Sequence, residues 1–333
     1  MKKQLAMVFG SIAFAALAGA AWSQQKEVTI CYQDMVVPYR VAQDAKEIEK
    51  QTGYKISWKQ FGGGGEVIKA MASGAVQIGE VGSAGIAAAV SRGEPYELFW
   101  ILDDIGDAEA LVAKNGSGIN TVADLKGKKI AMPFNSTTHF HTMVALEQAK
   151  VNPADVQILN MRPPEVRAAW QRGDIQATFI WDPVLAEVKK DGKVITSSGK
   201  ISAETGKATF DGYIVNKDWA KANRDFMVKF VKILAASDDS YRKNTAKWTA
   251  DAPEVKAVAK WSGAKPEDVP AGMALYRFPT LAEQNSKWLA KDGVAAKALA
   301  ATATFQLSQK QIEKTLPDYS TVVNATYAQE AAK

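Results

Sequence analysis

One cysteine, Cys31, in a chain of 333 residues excludes any internal disulfide. The only two histidines, His139 and His141, are two positions apart. On a helix that spacing points them to different faces, so shared metal ligation is not expected. Gly62-Gly63-Gly64-Gly65 lacks the Gly-Lys-Ser/Thr of a phosphate loop, and Gly82-Ser83-Ala84-Gly85 is not a Gly-x-Ser-x-Gly nucleophile elbow. A net charge of +5 is spread along the chain with no basic run, which argues against a nucleic-acid partner. Beyond the N-terminus no apolar run is long enough to cross a bilayer. Together these absences predict a protein without catalytic apparatus, metal or cofactor.

The N-terminus itself reads as a secretory signal. Met1-Lys2-Lys3 is followed by an apolar run from Leu5 to Leu17 and then by small residues at Ala18, Gly19, Ala20 and Ala21. Cleavage after Ala20 or Ser23 would export a soluble chain to the periplasm. Cys31 sits in the strand pattern Val28-Thr29-Ile30-Cys31, without the context of a lipidated cysteine. The remainder, in a chain 47% hydrophobic and 23% charged overall, has ordinary globular composition.

The feature that organises the chain is an internal echo. Glu66-Val67-Ile68-Lys69-Ala70-Met71-Ala72-Ser73-Gly74-Ala75-Val76-Gln77 returns, 99 residues later, as Glu165-Val166-Arg167-Ala168-Ala169-Trp170-Gln171-Arg172-Gly173-Asp174-Ile175-Gln176. Each copy reads as a helix stopped by glycine and followed by an apolar strand. Strand and helix patterns alternate through most of the chain, which predicts an α/β fold of two similar lobes joined by two hinge segments. Each lobe would be a parallel or mixed sheet flanked by helices. The expected division is 1–23 signal, 24–110 first part of lobe one, 111–211 lobe two, and 212–333 a return to lobe one with C-terminal helices. Val41 to Thr52 is predicted as one helix, and Asp103-Asp104-Ile105-Gly106-Asp107 as an acidic loop.

A ligand is expected between the lobes. Ser136, Thr137 and Thr138 open a predicted helix, where hydroxyls either cap free N–H groups or, with the helix dipole, hold an anion. Gly82 and Ser83 occupy the corresponding turn in lobe one. Glu109 and Asp211 fall at the two crossings, with Trp181 and Tyr213 close by in sequence, and the two acids suit an ammonium group.

Gly127-Lys128-Lys129-Ile130-Ala131, Phe134 to His139, Ala168-Ala169-Trp170-Gln171-Arg172-Gly173-Asp174-Ile175 with Trp181 and Pro183, and Phe210-Asp211-Gly212-Tyr213 resemble the taurine-binding proteins of ABC importers. The resemblance implies a type II periplasmic-binding fold that closes on taurine or a related small sulfonate. It also implies a monomer that delivers its ligand to an inner-membrane permease with a cytoplasmic ATPase. Carried over, Ser136, Thr137, Thr138, Gly82 and Ser83 would face the sulfonate, and Glu109 and Asp211 the ammonium. Trp181 and Tyr213 would wall the cleft, with Gln33 and His139 at its margin. The chain departs from the pattern at Ala84-Gly85, where the family has Ser-Pro, at Asp182 and at Tyr213. Those departures leave room for hypotaurine, another aminoalkyl sulfonate or a ligand with a larger cationic part; an amine-free aliphatic sulfonate is a separate alternative, which two unpaired acids would repel. An enzyme of the thiamine-pathway pyrimidine synthase kind, built on the same fold, would need a cysteine-rich segment and is not expected.

Overall fold

The computed structural model describes residues 26–333, so the predicted signal lies outside the described residues. The first sheet is built from β1 (Glu27–Tyr32), β2 (Lys55–Gln60), β3 (Ile78–Gly82), β4 (Tyr96–Asp104) and, late in the chain, β10 (Phe210–Asn216). Its strand order is β2-β1-β3-β10-β4. The second sheet contains β5 (Glu109–Lys114), β6 (Lys129–Met132), β7 (Gln157–Asn160), β8 (Ala177–Trp181) and β9 (Gly192–Ser197), in the order β7-β6-β8-β5-β9. The two orders are the same pattern: three parallel strands, then an antiparallel strand that has just crossed from the other lobe, then an edge.

The echoed residues do the same work in each sheet. Glu66 and Glu165 each accept a backbone N–H at the start of their helix, from Gly62 and Arg162 respectively. Val67 and Val166 are fully buried. Gly74 and Gly173 take φ of +76° and +78°, a left-handed turn that favours glycine. Gln77 and Gln176 then staple the sheet. The backbone N–H and side-chain Oε1 of Gln77 both engage Thr29 of β1, and those of Gln176 both engage Lys129 of β6. The matching residues therefore specify one helix-to-strand connection built twice.

Three expectations change. Residues 41–52 form two short helices, Arg40–Asp44 and Glu47–Thr52, because Lys46 turns left-handed at φ 53°. Asp103 and Asp104 extend β4 instead of forming a loop. The late helices mostly pack on the first lobe, yet Phe305 of the helix Val294–Ser308 joins the second lobe's cluster, edge-on to Phe140 at 5.3 Å. The neighbouring Gln306 donates to the carbonyl of Ala84 in lobe one. Cys31 is buried in β1, and burial pushes its thiol up to about 12. Among the described residues no helix is long and apolar enough to cross a membrane.

Beneath the first sheet's C-terminal edge lies a fully buried ion pair, Arg40 and Glu80, with Nη2 3.1 Å from Oε1. Arg40 also donates to the carbonyls of Gln33 and Met35 and lies against the rings of Tyr32 and Tyr39. Glu80 accepts from Tyr39 and from the backbone of Gln33. Removing the cation alone would leave a charge buried without its partner. Arg40→Ala is expected to cost about 3–5 kcal/mol of stability, read as a lower urea midpoint. The double variant Arg40→Leu/Glu80→Leu is expected to be much less damaging.

Candidate functional site

Parallel strands end together at one side of each sheet, and in α/β folds that edge is where ligands bind. Gln33 follows β1, Gly82 ends β3, Ser136 and Thr137 follow β6, and Trp181 ends β8. The antiparallel strands enter from the crossings at that same edge. Glu109 therefore opens β5 and Asp211 sits second in β10. All seven of these residues line one cavity, joined by Met35, Gly64 and Tyr276. The lobes are closed over it, leaving about 10 Å³ of free space, close to what one water molecule needs. Trp181 of the second lobe donates its indole N–H to Asp34 of the first at 2.8 Å. Burial raises that Asp34 carboxyl to about 6.

Three helices begin on the cavity: Gly64–Ala72, Ser83–Ser91 and Thr137–Gln148, all at least two turns long. Their first-turn N–H groups lack partners within the helix and carry the positive end of its dipole. Glycine permits the close approach of the lobes here. A Cβ on Gly82 would lie 2.8 Å from Thr137 Cγ2 and 3.1 Å from Asp211 Oδ1.

Two acids line the same cavity in contact with the helix starts, Glu109 against Thr137 and Asp211 against Gly82. Glu109 is buried on β5, accepting from the Thr137 hydroxyl at Oε1 and from Ser198 at Oε2 over 2.9 Å. Burial pushes its carboxyl up to about 7, against both hydroxyl bonds. Asp211 pairs in register with Asp103 of β4, and both are buried. With both groups ionised neither oxygen of Asp103 has a hydrogen-bond partner, and a proton shared with the Asp211 side chain supplies one. Burial holds Asp103 and Asp211 well above the usual carboxylate range. The charge of Asp211 raises Asp103 further, and that of Glu109 raises Asp211. Among the described residues none of the three has an ion-pair partner, unlike Glu80.

Four residues expected at the site lie off the cavity. The Ser83 side chain is fully buried and accepts from Phe210 N–H. Thr138 contacts Ser136 Oγ at 2.8 Å, while Ser136 donates to Pro133 and caps the Thr137 helix by accepting from His139 N–H. His139 stacks on Phe134 at 4.5 Å, and burial lowers it to about 4. Tyr213 is in the core, stacked with Phe99 and edge-on to Tyr39. The hydroxyl protons of Ser136 and Thr137 are thus already committed within the protein, which leaves the helix N–H groups as the anion donors. Asp182 does not line the cavity. It accepts from Ala186 N–H at 2.8 Å, starting the short helix Val184–Val188. Of the residues the sequence reading missed, Gly64 was legible as part of a four-glycine run. Met35 and Tyr276 carried no local signal.

Residues 31–250 match the family described as "ABC transporter, phosphonate, periplasmic substrate-binding protein". The chain is 35% identical to the taurine-binding periplasmic protein of Escherichia coli (strain K12), over 95% of this chain and 97% of that protein. It is 28% identical to a putative aliphatic sulfonates-binding protein of the same organism, covering 69% of this chain and 71% of the other. Among solved structures, the alkanesulfonate-binding protein SsuA from Xanthomonas axonopodis pv. citri bound to MOPS superposes with a TM-score of 0.72. The identity is 23%, covering 87% of this chain and 95% of that one.

Two outcomes test the site. Gly82→Ala, which puts a methyl between Thr137 and Asp211, is expected to weaken ligand binding by at least about tenfold with the melting temperature within about 3 °C of the parent. For Glu109 the pH dependence has a definite sign. Its carboxyl rises from 4.5 to about 7 on folding, so its contribution is fully present below 4.5 and is lost as pH rises through about 7. Glu109→Gln is therefore expected to raise the melting temperature of the ligand-free protein at pH 8, with a smaller gain at pH 5.

Proposed function

The chain belongs to the periplasmic substrate-binding proteins of ABC transporters, and on that premise we propose that its interlobe cleft captures taurine. The observation that carries this reading is the make-up of one small cavity: three helix starts and two acids, Glu109 and Asp211, line it together, with Asp103 paired beside Asp211. A sulfonate stays anionic at biological pH and only accepts hydrogen bonds, so it belongs at the helix starts. An ammonium belongs between the acids, which have no cation of their own. Gln33 and Trp181 close the sides. Burying a zwitterion costs several kcal/mol per charge unless both poles are paired, so tight binding requires the lobes to close. With about 10 Å³ free in the closed form, entry requires them to part.

The protein would be exported by the signal that the sequence predicts at 1–23 and would act as a monomer. It would hand taurine to an inner-membrane permease driven by a cytoplasmic ATPase. It would bind without transforming its ligand: the lone thiol is buried and held protonated. An aliphatic sulfonate without an amine is the second reading, favoured by the sulfonate-binding relative. It leaves three buried carboxyls facing no cation.

Calorimetric titration separates the two. Taurine is expected to bind tightly, hypotaurine comparably, and ethanesulfonate and sulfate weakly or not at all. Glu109→Ala and Asp211→Ala are each expected to weaken taurine by at least about a hundredfold, the scale of stranding a buried ammonium. Less than a threefold change in both would remove these acids from the site.

A further inference from the structure

His141 lies on the Thr137 helix and is fully buried. Its Nε2 is 2.9 Å from the carbonyl oxygen of Lys207, and its Nδ1 is 2.8 Å from Ser198 Oγ. Ser198 Oγ lies 2.9 Å from Glu109 Oε2. A carbonyl oxygen can only accept, so Nε2 carries a hydrogen. If the imidazole is neutral, Nδ1 is a lone pair and takes the one hydroxyl proton of Ser198. The hydrogen between Ser198 and Glu109 must then belong to Glu109. If Glu109 is instead a carboxylate, it takes the Ser198 proton, and Nδ1 must carry a second hydrogen. Both arrangements satisfy every contact and hold the same number of protons.

We propose that Glu109, Ser198 and His141 form a proton relay that sets the charge of the ammonium-binding acid. Glu109 is protonated until a cationic ligand end arrives, and then passes its proton through Ser198 to His141. The Glu109 O–H bond breaks as Ser198 Oγ accepts the proton, and the hydroxyl proton of Ser198 moves to Nδ1, with nothing lost to solvent. Ser198 and His141 are positioning residues for Glu109 and do not line the cavity.

The surroundings favour the neutral arrangement first. Burial raises Glu109 to about 7 and lowers His141 to about 4. Glu109 faces Asp211 and Asp103 from the first lobe, with Glu80 beyond, paired to Arg40, and Tyr276 from the C-terminal half. Trp181 lies opposite on β8 and Thr137 on the neighbouring helix. His141 meets the rings of Phe140 and Phe179, and Lys207 turns its ammonium away toward Glu147 and the Phe305 ring. An ammonium beside Glu109 favours its carboxylate, and the relay supplies that carboxylate without exporting a proton.

The relay rests on the ammonium reading, and the test keeps the two apart. In protein labelled with 15N-histidine, long-range 15N–1H spectra at pH 6, below the value of about 7 at which Glu109 loses its proton, are expected to show His141 neutral with its hydrogen on Nε2. With taurine bound, both nitrogens should be protonated. Calorimetry in buffers of different ionisation enthalpy should then find no net proton released by the parent. His141→Gln, which keeps an acceptor and a donor but cannot store the proton, should release about one and bind roughly tenfold more weakly. An imidazole in the same protonation state with and without taurine, neutral or charged, would overturn the relay. Taurine that gives no heat in any buffer would sink the ammonium reading and the relay with it.

Discussion

Four carboxyl groups, Glu80, Asp103, Glu109 and Asp211, are buried around one cleft, and among the described residues a single cationic side chain, Arg40, is buried with them. Everything else about the site follows from that imbalance. Arg40 is spent on Glu80, where it also ties down the backbone of Gln33 and Met35 and so shapes the cavity floor. The other three acids are held toward their neutral forms by burial and by one another. A buried acid in that condition is poorly stable when ionised and is relieved by a cation from outside.

The cavity meets the complementary problem without a positively charged side chain in its lining. Helix starts supply N–H donors and partial charge, and glycine lets them approach the acids closely. A lysine or arginine there would pair with the acids. Hydroxyls at the helix start are consumed in local geometry: Ser136 caps the helix and Thr137 orients Glu109.

Much of this was legible in the sequence because it was written locally. The echo fixed the repeated connection, since a left-handed glycine and a stapling glutamine need only their immediate neighbours. Glu109 and Asp211 stood out because each follows a crossing between lobes. What stayed hidden depends on register across strands or on contacts far apart in the chain. Asp103 stands beside the cleft acid Asp211 only because β10 pairs with β4 in that register. Tyr276 arrives beside Arg277, which bridges to the end of β4. Ser198 and His141 matter through a chain of contacts that no spacing of theirs announces. Tyr213 sits at the same parity as Asp211 but falls into the aromatic core, across a register shift in β10.

The helix Val294–Ser308 has a mechanical meaning as well as a structural one. Gln306 holds Ala84, at the head of one helix that starts on the cavity, and Phe305 lies on Phe140, at the head of another. It sits like the rivet of a pair of tongs, gripping both arms behind the tips. Because Phe305 and Gln306 are adjacent on one helix, a change in the angle between the arms has to alter its contact with at least one of them.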